Sequence, residues 1–419
     1  MKGSLMAIEM KSLQVNGVEI PVIYEKSAQL PLFYTQLVFK GAGGINNGKA
    51  LGLSDIVSSL LNEGTKTLGV TKFSQKLEEK ALTLSAGSGV ETLSFTLSGM
   101  SAMQKDGIGL LKELLKNPNF TQKALDKVKE NSLVAILEKE SDYDYQANRL
   151  LKSMLFKGSA LEFPLSGTQE SIAKITLQEV EKFYNEFVNL NSLILIVGGD
   201  MEFEEVAKEL KEALKNLPEG KKISLKPIEA KDTKQIKHLN KETQQAYIYF
   251  GAPLNVGNLQ KELALIKVAS FVLGGGGFGS RMMEEVRVKR GLAYSAVMRL
   301  SATKTQTLAQ GYLQTSLKNE KDAQKLVQEV VDEFVKNGIT KKELQEAKQY
   351  LLGSEPLRNE TLSQRLGVAF NNYYNDLPLD FNRKVLEEIS KLTLEEVNAY
   401  IKAHKEIANL SFAIITAKD

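Results

Sequence analysis

An arginine and a tyrosine seven positions apart, Arg287 and Tyr294, carry the most usable chemistry in this chain. A guanidinium offers five donors in a fixed plane, and a phenol offers one more. Held side by side, the two can grip a peptide carbonyl or an oxyanion developing on it. They lie in the stretch FVLGGGGFGSRMMEEVRVKRGLAYS, behind four consecutive glycines (Gly274, Gly275, Gly276, Gly277) and a fifth, Gly279. Such a cluster serves turns with positive φ or the close approach of another backbone. The same residues also fit a plainer corner between helix and strand, with a buried tyrosine and a solvated arginine.

The elements that must position the pair are legible around them. Met282, Met283 and Val286 share one face of a short amphipathic segment, which reads them as core contacts. Its last turn is basic (Arg287, Lys289, Arg290), which suits the negative end of a helix dipole. Gly291 is the expected stop. Alternation then places Leu292, Tyr294, Ala296, Met298 and Leu300 on one side of a strand. The glycines do not read as a nucleotide loop, because no G-K-[ST] follows and a helix, not a strand, precedes them.

A chain of 419 residues exceeds one ordinary core and implies two or more domains. With 54 basic against 51 acidic residues, nothing suggests a nucleic-acid or polybasic membrane surface. The absence of cysteine removes disulfides and thiolate metal sites. The two histidines, His238 and His404, are far apart, read as solvated, and argue against a histidine-rich metal site. The opening MKGSLMAIEMKS has no signal core, and no apolar run reaches the roughly 20 residues of a membrane span. A cytoplasmic protein is expected, or a periplasmic one if a leader preceded Met1.

Along the chain, Asn16-Gly17 marks a type I′ hairpin within Leu13 to Tyr24. Helical spacing covers Leu51 to Leu61, with Asp55, Ser58, Ser59 and Asn62 on a face read as solvated. Thr71 to Ala81 reads as a helix capped by Thr71, and Thr121 to Arg149 as one long charged helix. A buried strand, Ser192 to Gly198, closes the first half together with the helix from Phe203 to Asn216. Strands, helices and a final strand, Leu410 to Thr416, then repeat that order. The expectation is an α+β chain of two similar domains, each a mostly antiparallel sheet packed with helices. Residues 1–217 and 238–419 are the two copies, and the lysine- and proline-bearing 218–237 is their linker.

The ordered set of motifs resembles the insulinase–pitrilysin family of inverted zincins, in its shorter branch with the mitochondrial processing peptidases. The resemblance rests on Asn16-Gly17-Val18, Gly52-Leu53 to Leu60-Leu61 and Gly64-Thr65. It continues in Ser171 to Thr176, Val197 to Asp200, Gly275 to Arg281, and Arg287 through Arg290-Gly291-Leu292-Ala293-Tyr294-Ser295. It covers almost the whole chain. The family's signature, H-x-x-E-H on a helix with a distal Glu, binds zinc and activates water. Here those positions fall on Asp55, Ser58, Ser59 and, for the distal ligand, Ala135. One carboxylate and two hydroxyls are a poor zinc set.

The resemblance implies that Arg287 and Tyr294 face a metal across a cavity and that Gly274 to Gly279 handle substrate. It further implies a chain without metal or cofactor of its own, working as the non-catalytic, substrate-binding subunit of a heterodimeric zinc endopeptidase. The homologous partner would bear the zinc, peptides would add as a strand on a sheet edge, and the chain alone would be inactive. The alternative is a metal-free structural or peptide-binding scaffold, a homodimer or the core subunit of a larger complex.

Overall fold

The computed structural model describes residues 8–417; the first seven residues, which begin the segment read above for a leader, lie outside them. The first half runs β1 (Glu9–Val15), β2 (Val18–Lys26), β3 (Leu32–Lys40), α1 (Leu53–Leu61), α2 (Gly69–Glu78), β4 (Thr83–Ser88) and β5 (Thr92–Met100). It continues through α3 (Gln104–Lys116), α4 (Gln122–Glu140), α5 (Tyr143–Leu155), α6 (Gln169–Lys174), α7 (Leu177–Phe187), β6 (Leu193–Gly199) and α8 (Phe203–Leu214). The second half runs β7 (Ile236–Asn240), β8 (Gln245–Pro253), α9 (Leu259–Ser270), α10 (Arg281–Met283), β9 (Ala293–Ala302) and β10 (Thr307–Ser316). It ends with α11 (Glu320–Asn337), α12 (Lys341–Gly353), α13 (Glu355–Arg358), α14 (Leu362–Tyr374), α15 (Phe381–Lys391), α16 (Leu394–Ala403) and β11 (Ser411–Thr416).

The strands form two sheets, ordered β1-β2-β6-β3-β5-β4 and β7-β11-β8-β10-β9. Apart from the extra β1, the orders match strand for strand. In each, the first matched pair is parallel (β2 with β6, β7 with β11) and the rest are antiparallel. The expected duplication of an α+β unit is therefore present. Each sheet has its own core: Ile20, Leu37, Phe95 and Leu195 are sealed in the first, Phe250, Met298, Phe334 and Ile414 in the second.

Local chemistry explains most boundaries. Asn16 and Gly17 take φ of 50° and 84°, the two left-handed positions of a type I′ turn between β1 and β2. Thr176, Thr340 and Thr393 each close a capping box with a glutamate three residues on. Two expectations need correction. The cap of α2 is Leu68, without a side-chain bond, so Thr71 lies inside the helix. The long charged helix is two: it breaks at Ser141-Asp142, where the Asp142 carboxylate caps α5 by accepting from the Tyr145 amide at 3.0 Å.

The compact units also depart from the chain halves. The first comprises residues up to Leu137, Pro164–Leu225 and Asn359–Asn371; the second comprises Glu138–Phe163, Lys226–Arg358 and Asn372 onward. The segment read as a linker divides between them, and its last residues, Ile236 and Lys237, begin β7. Within the second unit, α5 lies on β8 and β11, where a Cβ at Gly251 would come within 3.1 Å of Leu155 Cδ1. Within the first, the body of α14 lies on β6, where a Cβ at Gly198 would come within 2.8 Å of Leu366 Cδ1. Each half thus lends one helix to the other's sheet, and glycine lets both helices approach.

The borrowed α14 is also fixed by charge. Arg365 donates through Nη2 and Nε to Glu25 Oε1 at 2.6 and 2.9 Å. The two side chains are only 12% and 4% exposed. Truncating one member of such a buried pair leaves the other's charge unpaired. Arg365→Met should therefore cost about 3 kcal/mol in urea unfolding followed by a probe on the first unit. Adding Glu25→Gln should recover most of that loss.

Candidate functional site

The site is built from Ser270 onward in the second unit. Helix α9 widens into a π-helical turn, Phe271–Gly275, and then a tight turn, Gly277–Gly279. A Cβ at Gly274 would lie 2.3 Å from the Met298 amide nitrogen, so only glycine lets this turn press on β9. Ser280, 2% exposed, closes the loop by donating its hydroxyl to the Gly277 carbonyl at 2.7 Å.

The next segment begins with α10 and widens again into a π-helical turn, Glu284–Lys289. Met282 and Val286 are fully buried, as expected. Arg281 ties the start down by donating to both Glu343 oxygens at 2.6 and 2.8 Å and to the Gly338 carbonyl at 2.7 Å. Burial opposes the charge on Glu343, but Arg281 and Thr340 outweigh it and hold the carboxyl below the usual range. The stabilisation is present above that range and is lost as pH falls through the lowered value. At the far end, Gly291 takes φ of +59° and ends the helix as the sequence suggests.

Tyr294 is where the alternation reading fails. Ala296 pairs with Leu313, but Ala293 pairs with Thr315: β9 takes three steps while β10 takes two. This β-bulge reverses the sidedness of the strand at its start. Ala293 turns inward, 8% exposed, and Tyr294 turns out, 81% exposed. The tyrosine is thus neither buried nor on the side of Ala296, Met298 and Leu300.

Arg287 meets it there. Its guanidinium carbon lies 4.3 Å from the centroid of the Tyr294 ring and 4.7 Å from that of Phe278. Among the described residues, no acceptor is bonded to this guanidinium and none to the Tyr294 hydroxyl. The π faces hold the cation while its in-plane N–H groups stay uncommitted. The structure therefore gathers Arg287, Tyr294 and the glycine loop at one place. Phe278, on the tip of that loop and 67% exposed, is the member that sequence reasoning missed. Its signal was a large apolar residue set between glycines, with no core period to explain it. Phe278 also lines a cleft of about 1140 Å³ together with Phe271, Tyr350, Glu284 and Glu333.

The positions that answer the zinc signature lie in the first unit. Ser58 is buried and donates its hydroxyl to the Asp55 carbonyl at 3.0 Å; Asp55 and Ser59 are half-buried. The face read as solvated is therefore largely packed. Ala135, exposed on α4, brings no donor atom. Among the described residues, no group of three or more His, Cys, Asp or Glu is placed to hold a metal. One carboxylate beside two hydroxyls, one of them satisfied by its own helix, does not fit zinc. The histidines do not help. His238 reaches Glu320 at 3.1 Å, and His404, expected in solvent, is half-buried against Tyr400 and bonded to Glu406 at 2.8 Å.

Comparison with known proteins gives the family. Residues 22–169 match the family model described as insulinase (peptidase family M16), and residues 174–351 the one described as peptidase M16 inactive domain. The chain is 45% identical to a "non-peptidase homolog", YmxG, of Helicobacter pylori, over 99% of this chain and 97% of that protein. It is 22% identical to an "uncharacterized zinc protease" of Bacillus subtilis, over 83% and 84% of the two chains. The crystal structure of a peptidase M16 inactive domain from Pseudomonas fluorescens superposes with a TM-score of 0.89 at 25% identity, covering 98% of each chain. A protease from H. pylori shares the fold with a TM-score of 0.84 at 14% identity, over 98% of this chain and all of that one. The chain belongs to the insulinase (M16) peptidase family, as a member without the H-x-x-E-H site.

Proposed function

We propose that this chain is the non-catalytic, substrate-gripping subunit of a heterodimeric peptidase whose hydrolytic centre, zinc included, is borne by a homologous partner. The observation that carries the reading is the Arg287 guanidinium, held over two aromatic rings with its donors unengaged. A cation fixed in this way keeps its hydrogen-bonding edge for an outside acceptor. A peptide carbonyl, bent toward a tetrahedral oxyanion in the partner's site, is an acceptor that both Arg287 and the Tyr294 hydroxyl can share. The glycine loop brings Phe278 to the same point and borders a cleft wide enough for a peptide.

A second reading has its own support: the four signature positions lack a metal donor set, and the H. pylori relative is named a non-peptidase homolog. On that reading the chain is a metal-free scaffold that binds peptides or assembles with itself. Co-expression with an M16 homologue that carries H-x-x-E-H separates the two. The first predicts a stable pair that hydrolyses a fluorogenic peptide only when both chains are present. A homodimer that stays inactive in every mixture supports the second.

Within an active pair, Tyr294→Phe should lower turnover by about 10²–10³-fold, the usual effect of losing one oxyanion donor, with zinc content unchanged. Unaltered turnover would remove Tyr294 from the chemistry. Phe278 acts through Arg287, as a positioning residue. Phe278→Leu should weaken kcat/KM roughly two- to fivefold, the size of an exposed cation–π contact, and Phe278→Tyr should restore it. Equal loss in both variants would show that the ring's π face is not what matters.

A further inference from the structure

Helix α5 covers only part of the sheet it lies on. It runs over β8 and β11, and two of its side chains meet β10. Gln314 Nε2 donates to Asp144 Oδ2 at 2.5 Å, and Gln310 Nε2 donates to Asn148 Oδ1 at 2.9 Å. Tyr312 stands between these two glutamines, on the same face of the strand. It lies directly opposite Tyr249 in the ladder, and the two rings stack with centroids 5.3 Å apart and planes 17° apart. Tyr249 is buried, whereas Tyr312 is 39% exposed. The stack therefore has one sealed end and one open end.

The register puts this open ring on the same side of the sheet as Tyr294. Tyr312 pairs with Val297, whose neighbours Ala296 and Met298 belong to the second core. Val297 and, past the bulge, Tyr294 therefore share with Tyr312 the face turned away from that core. From the rung of Ala293 and Thr315 to that of Val297 and Tyr312 is three residues of β10, about 10 Å of strand. An extended peptide covers the same distance in three residues.

We propose that Tyr312 is a specificity-determining residue, which takes an aromatic side chain of the bound peptide three residues from the carbonyl gripped by Arg287 and Tyr294. A third ring at the open end continues the Tyr249–Tyr312 stack, and offset ring contact adds to the apolar area that is buried. Gln310 and Gln314 are tied to α5, so Tyr312 is the β10 side chain on this part of the face left to receive it. Tyr249 acts through Tyr312, as a positioning residue. The inference rests on the proposed grip on a peptide carbonyl but not on the zinc-bearing partner, because every residue it uses lies in the second unit.

The test uses the isolated full chain and fluorescein-labelled alanine–serine peptides, followed by fluorescence anisotropy. In each peptide a phosphinate replaces one peptide bond and offers Arg287 and Tyr294 a fixed oxyanion. A single phenylalanine is moved through the three positions on either side of it. Phenylalanine at the third position on one side should bind about tenfold tighter than alanine there. Tyr312→Ala should erase that gain and Tyr312→Phe should retain it. Tyr312→Leu, which keeps bulk without a ring, carries the comparison if the alanine variant does not fold. Arg287→Ala should weaken the whole series alike. A series indifferent to Arg287 removes the grip and this inference with it. A series that depends on Arg287 but not on ring position or Tyr312, or in which arginine outbinds phenylalanine at the third position, overturns this inference alone.

Discussion

A guanidinium held by two π faces and by no carboxylate is the interaction on which the second unit's arrangement turns. Had Arg287 been paired with a glutamate, its donors would be engaged and the site would be an ordinary surface ion pair. Instead the nearby carboxylate Glu285 is taken by Lys289 and Arg290, at 2.7 and 2.5 Å. The rings that hold Arg287 come from two places: the glycine loop supplies Phe278 and the bulged start of β9 supplies Tyr294. Gly274 sets where the loop meets the strand, and the extra residue in β9 sets which way the phenol faces. Both departures from regular structure converge on one cation, which is how functional positions commonly bend local rules.

The duplication makes the contrast between the units informative. The same helix and the same edge strand occur twice, but the helices have diverged in opposite directions. At the end of α1 the polar side chains are bonded within the fold: Ser58 to its own helix and Asn62 to the neighbouring strand. Beyond α9 the chain widens, loops and presents an arginine outward. One copy has become quiet packing, and the other carries the exposed polar chemistry. An unmade hydrogen bond is costly once it is partly buried, and here the Ser58 and Asn62 side chains are both bonded to backbone.

Much of this was legible in the residues. The hairpin at Asn16-Gly17, the two buried closing strands and the repeated order of elements follow from short-range patterns that tertiary contacts did not overrule. What escaped detection depended on an offset or on long-range partners. Strict alternation put Tyr294 in the core because a one-residue bulge leaves no mark in composition. Asn62 looked like one more polar residue on a helix face, since its partner, Ala86, lies on a strand whose register had to be known first. Ser141-Asp142 reads as part of one long charged helix because Glu138-Lys139-Glu140 before it and Gln146-Ala147 beyond it favour helix, and only the cap decides the break. The Glu25–Arg365 pair spans most of the chain and has no local signal at all.

The exchange of α5 and α14 has a consequence for how the polypeptide comes to its final form. The first sheet emerges from the ribosome early, yet the helix that covers part of β6 is among the last elements to be made. Until then Gly198 lies beneath an empty groove and Glu25 has no counter-charge. A polypeptide cut at the midpoint would lack that helix, leaving its first sheet with an uncovered patch over β6 and an unpaired carboxylate at Glu25.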